Sequence, residues 1–323
     1  MVCHEVGPPS GLVVEETPDP VPGVGQVVLD VAAAGVNYVD ALFVAGRYQI
    51  KPSLPFVPGS EIAGVVSALG PGAAEAGVAI GDRMLASVGL GGFAERAAVA
   101  ADGLAPIPAV LDFAQAATFG QSYCTALYAL RDRAGLQPGE TVLVLGAGGG
   151  VGLAAIDVAQ VLGGVPIAAA STVAKREAAL EAGAVAAIDS TSASLKERAR
   201  QLAGGTGIDV VLDPVGGDLA EPALRALGNG GRYLVVGFAS GTIPALPLNQ
   251  VLLRNRQVVG VDWGAWAMTN ADEQRDLLDE LLRAAGAGDL HPVSPATYPL
   301  PQVGDAIQSL LDRRVVGKVA LLP

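Results

Sequence analysis

Cysteine and histidine are nearly absent from this chain. Two cysteines, Cys3 and Cys124, and two histidines, His4 and His291, occur in 323 residues. A disulfide framework needs several pairable cysteines. A catalytic zinc needs three converging protein ligands and an open position. The sequence provides for neither. Basic residues are also scarce: 20 Lys and Arg stand against 32 Asp and Glu, a formal net charge of −12. Phosphate backbones are held by clustered Lys and Arg, so no nucleic-acid partner is expected. Unbroken apolar runs are missing too, although 51% of the residues are hydrophobic. The most apolar stretch, Thr141 to Ala174, is cut by Gly146, Gly148, Gly152, Gly163 and Pro166, and Tyr233 to Leu253 is cut by Pro244 and Pro247. A spanning helix wants about 20 apolar residues in succession. The opening residues, Met1-Val2-Cys3-His4-Glu5, show no basic segment leading into an apolar one. The expectation is a cytoplasmic protein with a large core and no membrane partner.

What is present divides into two textures. Residues 1 to about 110 are rich in Val, Gly and Pro. Short runs at Gly25 to Ala33, Glu61 to Ala68, Arg83 to Val88 and Phe93 to Val99 read as strands of a β-rich unit. Asp112 with Gln115 reads as a capping box opening a helix that runs to about Arg133. From Thr141, strands alternate with helices as far as Val261, the pattern of a parallel, doubly wound sheet. Its strands are almost wholly apolar, as when both faces are covered. A helix at Asp272 to Ala285, a helix at Val303 to Arg313 and a strand at Lys318 to Leu322 close the chain, short enough to rejoin the first unit.

The chemistry concentrates in the middle. Gly146-Ala147-Gly148-Gly149-Gly150-Val151-Gly152 follows a strand and opens a helix. Ala147-x-Gly149-x-x-Gly152 fits the dinucleotide fingerprint with Ala in first place. Small residues there permit a tight turn, backbone approach to a pyrophosphate and close helix–sheet packing. The bland alternative is a packing loop in a nucleotide-free α/β protein. Sites for NAD place an acid at the end of the second strand. Here that stretch is Ala168-Ala169-Ala170-Ser171-Thr172, followed by Lys175 and Arg176. Positive charge in the first turn of a helix opposes its dipole by about 0.3–1 kcal/mol. A 2′-phosphate would compensate, which favours NADPH. The alternative leaves Lys175 and Arg176 merely solvated beside Glu177.

Several further segments carry a resemblance. They are Gly35-Val36-Asn37-Tyr38-Val39-Asp40, Gly46-Arg47-Tyr48, Pro55 to Val66, Asp213-Pro214-Val215-Gly216-Gly217, Val236 to Gly241 and Gly317-Lys318-Val319. Together they resemble the medium-chain dehydrogenase/reductase superfamily, and within it the zinc-independent quinone oxidoreductase (zeta-crystallin-like) family. The resemblance implies an α/β fold: a GroES-like β-rich catalytic domain (1–122 and 266–323) around an inserted Rossmann domain with a doubly wound parallel sheet (123–265). It also implies a homodimer formed through the last Rossmann strand, Gln257 to Val261. The other reading of that strand is an edge covered by its own chain.

The same resemblance implies a site. Zinc enzymes of the superfamily carry Cys and His where this chain has Asn37 and Ser60. Asn37, Asp40 and Tyr48 are implied near the nicotinamide, Tyr48 as hydrogen-bond donor to a carbonyl oxygen. Their plain readings are a structural partner for Asp40 and a pocket cover for Tyr48. For the cofactor, the resemblance implies Thr125 near the nicotinamide and Gly149, Gly150, Val151 and Gly152 under the pyrophosphate. It adds Ser171, Lys175 and Arg176 at the 2′-phosphate, and Val215, Gly216, Gly237, Phe238 and Ala239 along the cleft. Ser190 and Cys124 depart from the family's common Tyr and Gly. Cys124 reads as a small buried residue. The implied reaction is hydride transfer from NADPH to a quinone-like acceptor. Two alternatives stand beside it: reduction of conjugated C=C bonds in enones or enoyl thioesters, and non-catalytic NADPH binding.

Overall fold

β-Branched and small residues from Gln26 to Val36 build the longest strand, β1, of the computed structural model, which describes residues 1–323. Asn37 then caps a short helix, α1 (Tyr38–Val44), with Asp40 at its third position closing the box. Strands β2 (Glu61–Leu69), β3 (Arg83–Ser87), β4 (Arg96–Ala100) and β5 (Leu104–Pro106) follow. Asp112 caps α2 (Phe113–Ala116): its carboxylate accepts from Gln115 N–H at 2.7 Å, and the Gln115 amide oxygen accepts from Asp112 N–H at 3.2 Å. The single long helix expected from Asp112 to Arg133 is broken. The chain turns after α2, resumes as α3 (Gly120–Leu127) and widens into a π-helical turn at Tyr128–Arg133.

Strands and helices then alternate as read from the sequence. β6 (Thr141–Leu145), α4 (Gly150–Val161), β7 (Val165–Ala170), α5 (Val173–Glu181), β8 (Ala186–Asp189) and α6 (Leu195–Leu202) lead to β9 (Ile208–Asp213). α7 (Ala220–Ala226), β10 (Leu227–Val235), α8 (Leu248–Leu252) and β11 (Gln257–Gly260) complete the sheet. All its pairings are parallel, in the order β11-β10-β9-β6-β7-β8. Leu143, Leu145, Ile167, Ile208 and Val211 are buried in it, which is why those strands read as unbroken apolar runs.

Two more helices, α9 (Trp263–Thr269) and α10 (Ala271–Ala287), follow the sheet. They stay with this unit, which spans 122–291. The Tyr128 and Trp266 rings stack at 4.7 Å, Trp263 Nε1 donates to Gln274 at 2.7 Å, and Arg131 pairs with Glu280 at 2.6 Å. Leu277, Leu281, Leu282 and Ala285 bury one face of α10. The chain therefore leaves the unit near Pro292 rather than at 266, where the sequence had suggested the return.

The last elements, β12 (Ala296–Pro299), α11 (Val303–Leu311) and β13 (Val319–Leu322), join residues 1–121 as the second compact unit. Its sheet runs β12-β13-β1-β2-β3-β5, with β4 paired to β1. Val27, Leu29, Val31, Ile62, Phe93, Ile307 and Leu321 are buried together in its core. No helix in the protein is long and apolar enough to cross a membrane.

Candidate functional site

In the unit spanning 122–291, the predicted cofactor residues gather at one edge of the parallel sheet. Gly149 caps α4 just after β6, Gly150, Val151 and Gly152 form the helix's first turn, and Ser171, Lys175 and Arg176 follow β7. Val215 and Gly216 follow β9, and Gly237, Phe238 and Ala239 follow β10. All lie at carboxyl ends of strands. The order reverses at β6, with β7 on one side and β9 on the other. Ligands of open α/β sheets bind at such a switch point. Thr125 belongs to none of these turns; it lies on α3.

The glycines of the turn answer different demands. A Cβ on Gly152 would lie 2.4 Å from the Gly146 carbonyl oxygen, so helix–strand packing forbids one. A Cβ on Gly149 would meet nothing nearer than 3.4 Å, an ordinary contact. Packing leaves that position free, which suits backbone approach by a pyrophosphate. A Cβ on Gly148 would lie 2.5 Å from Lys175 Cβ, so the stem of Lys175 rests against the same turn. The two basic candidates then separate. Arg176 donates to the Ala170 carbonyl at 3.1 Å and pairs with Asp189 at 3.4 Å, tying the tips of β7 and β8 together. Ser171 is exposed and Lys175 half-buried beside the turn.

A residue not singled out for the site holds the third turn. Asp213, buried at the end of β9, accepts from Val215 N–H at 2.7 Å and Gly216 N–H at 2.8 Å. The Tyr233 hydroxyl donates to its other oxygen. Burial and the Asp213 charge push the Tyr233 phenol well above its usual range, so it remains a donor. The signal was an Asp before a Pro-x-Gly-Gly turn, the setting for an Asx turn. The turns after β9 and β10 are also zipped together: Ala239 N–H reaches Pro214 O at 3.1 Å, and Ser240 N–H reaches Val215 O at 2.8 Å.

The unit built from 1–121 and 292–323 holds a buried polar cluster. Asn37 Nδ2 donates to Glu61 Oε2 at 2.8 Å and to Ser60 Oγ at 3.3 Å. Lys318 Nζ donates to Asn37 Oδ1 and lies 3.5 Å from Glu61. Gln121 N–H donates to Glu61 Oε1 at 2.5 Å, and Gln121 Nε2 donates to Ser60 Oγ at 2.8 Å. Asn37 thus spends both amide protons inside the protein. Asp40 takes the structural role: its Oδ2 accepts from Asn37 N–H at 2.7 Å, while its buried Oδ1 has no partner. Tyr48 stands outside the cluster. Its ring packs against Phe43 at 4.7 Å, it is half-buried, and its hydroxyl is unpaired within the chain. Cys124 is fully buried, with Gln274 Nε2 donating to its sulfur at 3.4 Å.

Comparison with known proteins places this geometry. Residues 23–109 match the alcohol dehydrogenase GroES-like domain, and residues 150–283 match the zinc-binding dehydrogenase family. A quinone oxidoreductase-like protein 2 homolog of Nematostella vectensis is 39% identical, with 99% of this chain and 88% of that protein covered. The chain belongs to the quinone oxidoreductase family of medium-chain dehydrogenases/reductases. Escherichia coli quinone oxidoreductase, solved in complex with NADPH, is 31% identical with a TM-score of 0.89, covering 100% of this chain and 99% of the other. The CurK enoyl reductase is 26% identical with a TM-score of 0.87, covering 98% and 97%.

The wider superfamily includes zinc enzymes, and the donor set here does not fit that metal. An amide and a hydroxyl, Asn37 and Ser60, are poor zinc ligands. The Lys318 ammonium already balances Glu61 and would repel a second cation. His4 pairs with exposed Glu15, and His291 donates its backbone N–H to Asp157 at 2.7 Å.

Burial raises the Asp40 carboxyl from 3.8 to about 7, against the Asn37 N–H, Ser60 and Lys318, which pull it down. The folded state therefore keeps this proton to higher pH than the unfolded chain. The group's contribution is full below about pH 4 and is lost as pH rises to about 7, a change on the order of 4 kcal/mol. Asp40→Asn keeps an acceptor for Asn37 N–H and removes the titration. Denaturant unfolding is expected to show the variant gaining on the parent progressively between pH 4 and 7.5. A difference that stays constant with pH would contradict the assignment.

Proposed function

We propose that this NADPH-dependent oxidoreductase passes a hydride to a small quinone-like acceptor, as a homodimer in the cytoplasm. The observation that carries the choice of acceptor is the buried cluster around Glu61. Where zinc relatives hold an electrophile, this chain has an ammonium already engaged by Asn37 and Glu61. Nothing there polarises a simple ketone, so the acceptor must be electron-poor in its own right. NADPH, when bound, supplies the hydride. The chain supplies the cradle: the Gly149 to Gly152 turn at the helix N-terminus for the pyrophosphate, Ser171 and Lys175 for the 2′-phosphate, and the zipped turns at Val215, Gly216, Gly237, Phe238 and Ala239 as a rigid wall. Thr125 is assigned to the nicotinamide side. Tyr48, with its free hydroxyl, is the group suited to donate a hydrogen bond to an acceptor oxygen. Likeness to an enoyl reductase supports a second reading, reduction of conjugated C=C bonds. Buried free cysteines accord with a reducing compartment. For the dimer, β11 pairs only with β10 and shows Val258 43% exposed on the open edge of the sheet.

Three measurements test these assignments. NADPH oxidation is expected with quinones, undiminished by chelator. Turnover confined to enoyl thioesters would select the second reading, and NADPH binding without turnover would point to a non-catalytic protein. Lys175→Ala is expected to raise the KM for NADPH about tenfold and leave that for NADH unchanged, because one charge-assisted contact is worth about 1.5–3 kcal/mol. An unaltered NADPH preference would remove Lys175 from the site. Sedimentation is expected to give a dimer that Val258→Lys converts to monomer; a parent that sediments as a monomer would dismiss the dimer.

A further inference from the structure

The chain carries 12 more formal negative charges than positive, yet one cavity of unit 122–291 is strongly basic. It has a volume of about 580 Å³, within the range of small-molecule sites. Five basic side chains, Lys196, Arg200, Arg225, Arg254 and Arg256, line it, with Glu197 as the one acid. Its position separates it from the cofactor edge. Arg225 lies in the last turn of α7 just before β10, Arg256 immediately precedes β11, and Gly205 lies shortly before β9. The cavity therefore opens at the amino ends of the strands, whereas the glycine turns lie at their carboxyl ends.

The charges in this cavity are incompletely balanced. Lys196 pairs with Glu197 at 3.2 Å and Arg225 with Glu221 at 2.6 Å. Arg200, Arg254 and Arg256 have no carboxylate within 4.0 Å. Arg256 is only 6% exposed. Its guanidinium donates to the carbonyls of Gln250 at 3.0 Å, Arg225 at 3.3 Å and Leu227 at 2.7 Å, and its Nε remains buried without a partner. Burial, then Arg254, Arg200 and Arg225, depress the Arg256 guanidinium below its ordinary value. Arg254, at φ 74°, sits in the left-handed region that non-glycine residues rarely adopt. A buried arginine ringed by like charges and a strained backbone both cost stability unless an anion offsets them.

We propose that this cavity is a second anion site, which binds the polyphosphate group of a small ligand. Guanidinium forks match phosphate oxygens in pairs. A polyphosphate concentrates several charges in one short group, as the five basic side chains concentrate theirs on one cavity, whereas an acidic peptide spreads them along many residues. The site stands apart from the cofactor assignment, and its ligand works from the opposite edge of the sheet.

Calorimetric titration of the NADPH-saturated protein with sodium tripolyphosphate tests it. One equivalent is expected to bind, more tightly than orthophosphate and more weakly as salt rises. The double variant Arg200→Gln/Arg254→Gln is expected to lose at least tenfold in affinity while its thermal unfolding stays unchanged or rises, since both changes relieve repulsion. Arg256 is left intact because it is buried and holds three backbone carbonyls, whereas Arg200 reaches only the Gly205 carbonyl, at 3.4 Å. ATP without magnesium distinguishes sources: equal affinity indicates recognition of the phosphates alone, and tighter binding that the double variant abolishes indicates a nucleotide. No binding, binding that survives the double variant, binding lost instead in Lys175→Ala, or equal binding of hexaglutamate would overturn the proposal.

Discussion

The Glu61 carboxylate is the group on which the closure of the unit built from residues 1–121 and 292–323 depends. It opens β2, and its partners come from the end of β1 (Asn37), from α3 (Gln121) and from the residue before β13 (Lys318). Segments nearly three hundred residues apart in sequence thus meet on one buried charge. Such a charge is tolerable only if every partner is in place; losing one typically costs about 3–5 kcal/mol. The surrounding backbone is correspondingly tight. A Cβ on Gly35 would lie 2.0 Å from the Ala117 carbonyl oxygen, and one on Gly120 would lie 3.0 Å from Glu61 Oε1. Asn37, Ser60 and Gln121 are oriented by this charge before any ligand arrives.

The other unit uses the same device at the turn after β9. Asp213 gathers two backbone N–H groups and the Tyr233 hydroxyl, and so sets the turn between β9 and α7. The turn after β10 is then fixed against it by backbone hydrogen bonds. Preorganisation of this kind matters for hydride chemistry, where the protein's part is orientation and exclusion of water rather than bond-making. Glu61 in one unit and Asp213 in the other thus each gather donors from segments distant in sequence.

Much of the architecture was legible in the residues. The capping box at Asp112 and Gln115, the strands from β6 to β9 and the glycine turn all lie where local rules put them. The short helix α1 was missed. Its box pairs Asn37 with Asp40 instead of Glu or Gln, inside a stretch rich in Val, Gly and Pro that carries few helical patterns. The break after α2 was missed for a different reason: it falls where Gln121 N–H meets Glu61, a contact with no local trace. Asp213 was visible as part of a motif, but its role needed Tyr233, twenty residues on. The assignment of α9 and α10 to the unit spanning 122–291 rests on Trp266 stacking on Tyr128, which spacing alone does not reveal.

Alternation of apolar strands with helices, and the order of small residues from Gly146 to Gly152, determined by themselves that the middle of the chain is a parallel sheet with a dinucleotide turn. Periodicity and backbone sterics are local properties, and sequence states them directly. Only the tertiary structure decided that Lys175 rests on that turn while Arg176 is held by Ala170 and Asp189. It alone decided that Asn37 is occupied by Lys318 and Glu61, and that the basic residues scattered from 196 to 256 converge on one cavity. Charges act through space, and which of them meet depends on contacts between residues far apart along the chain.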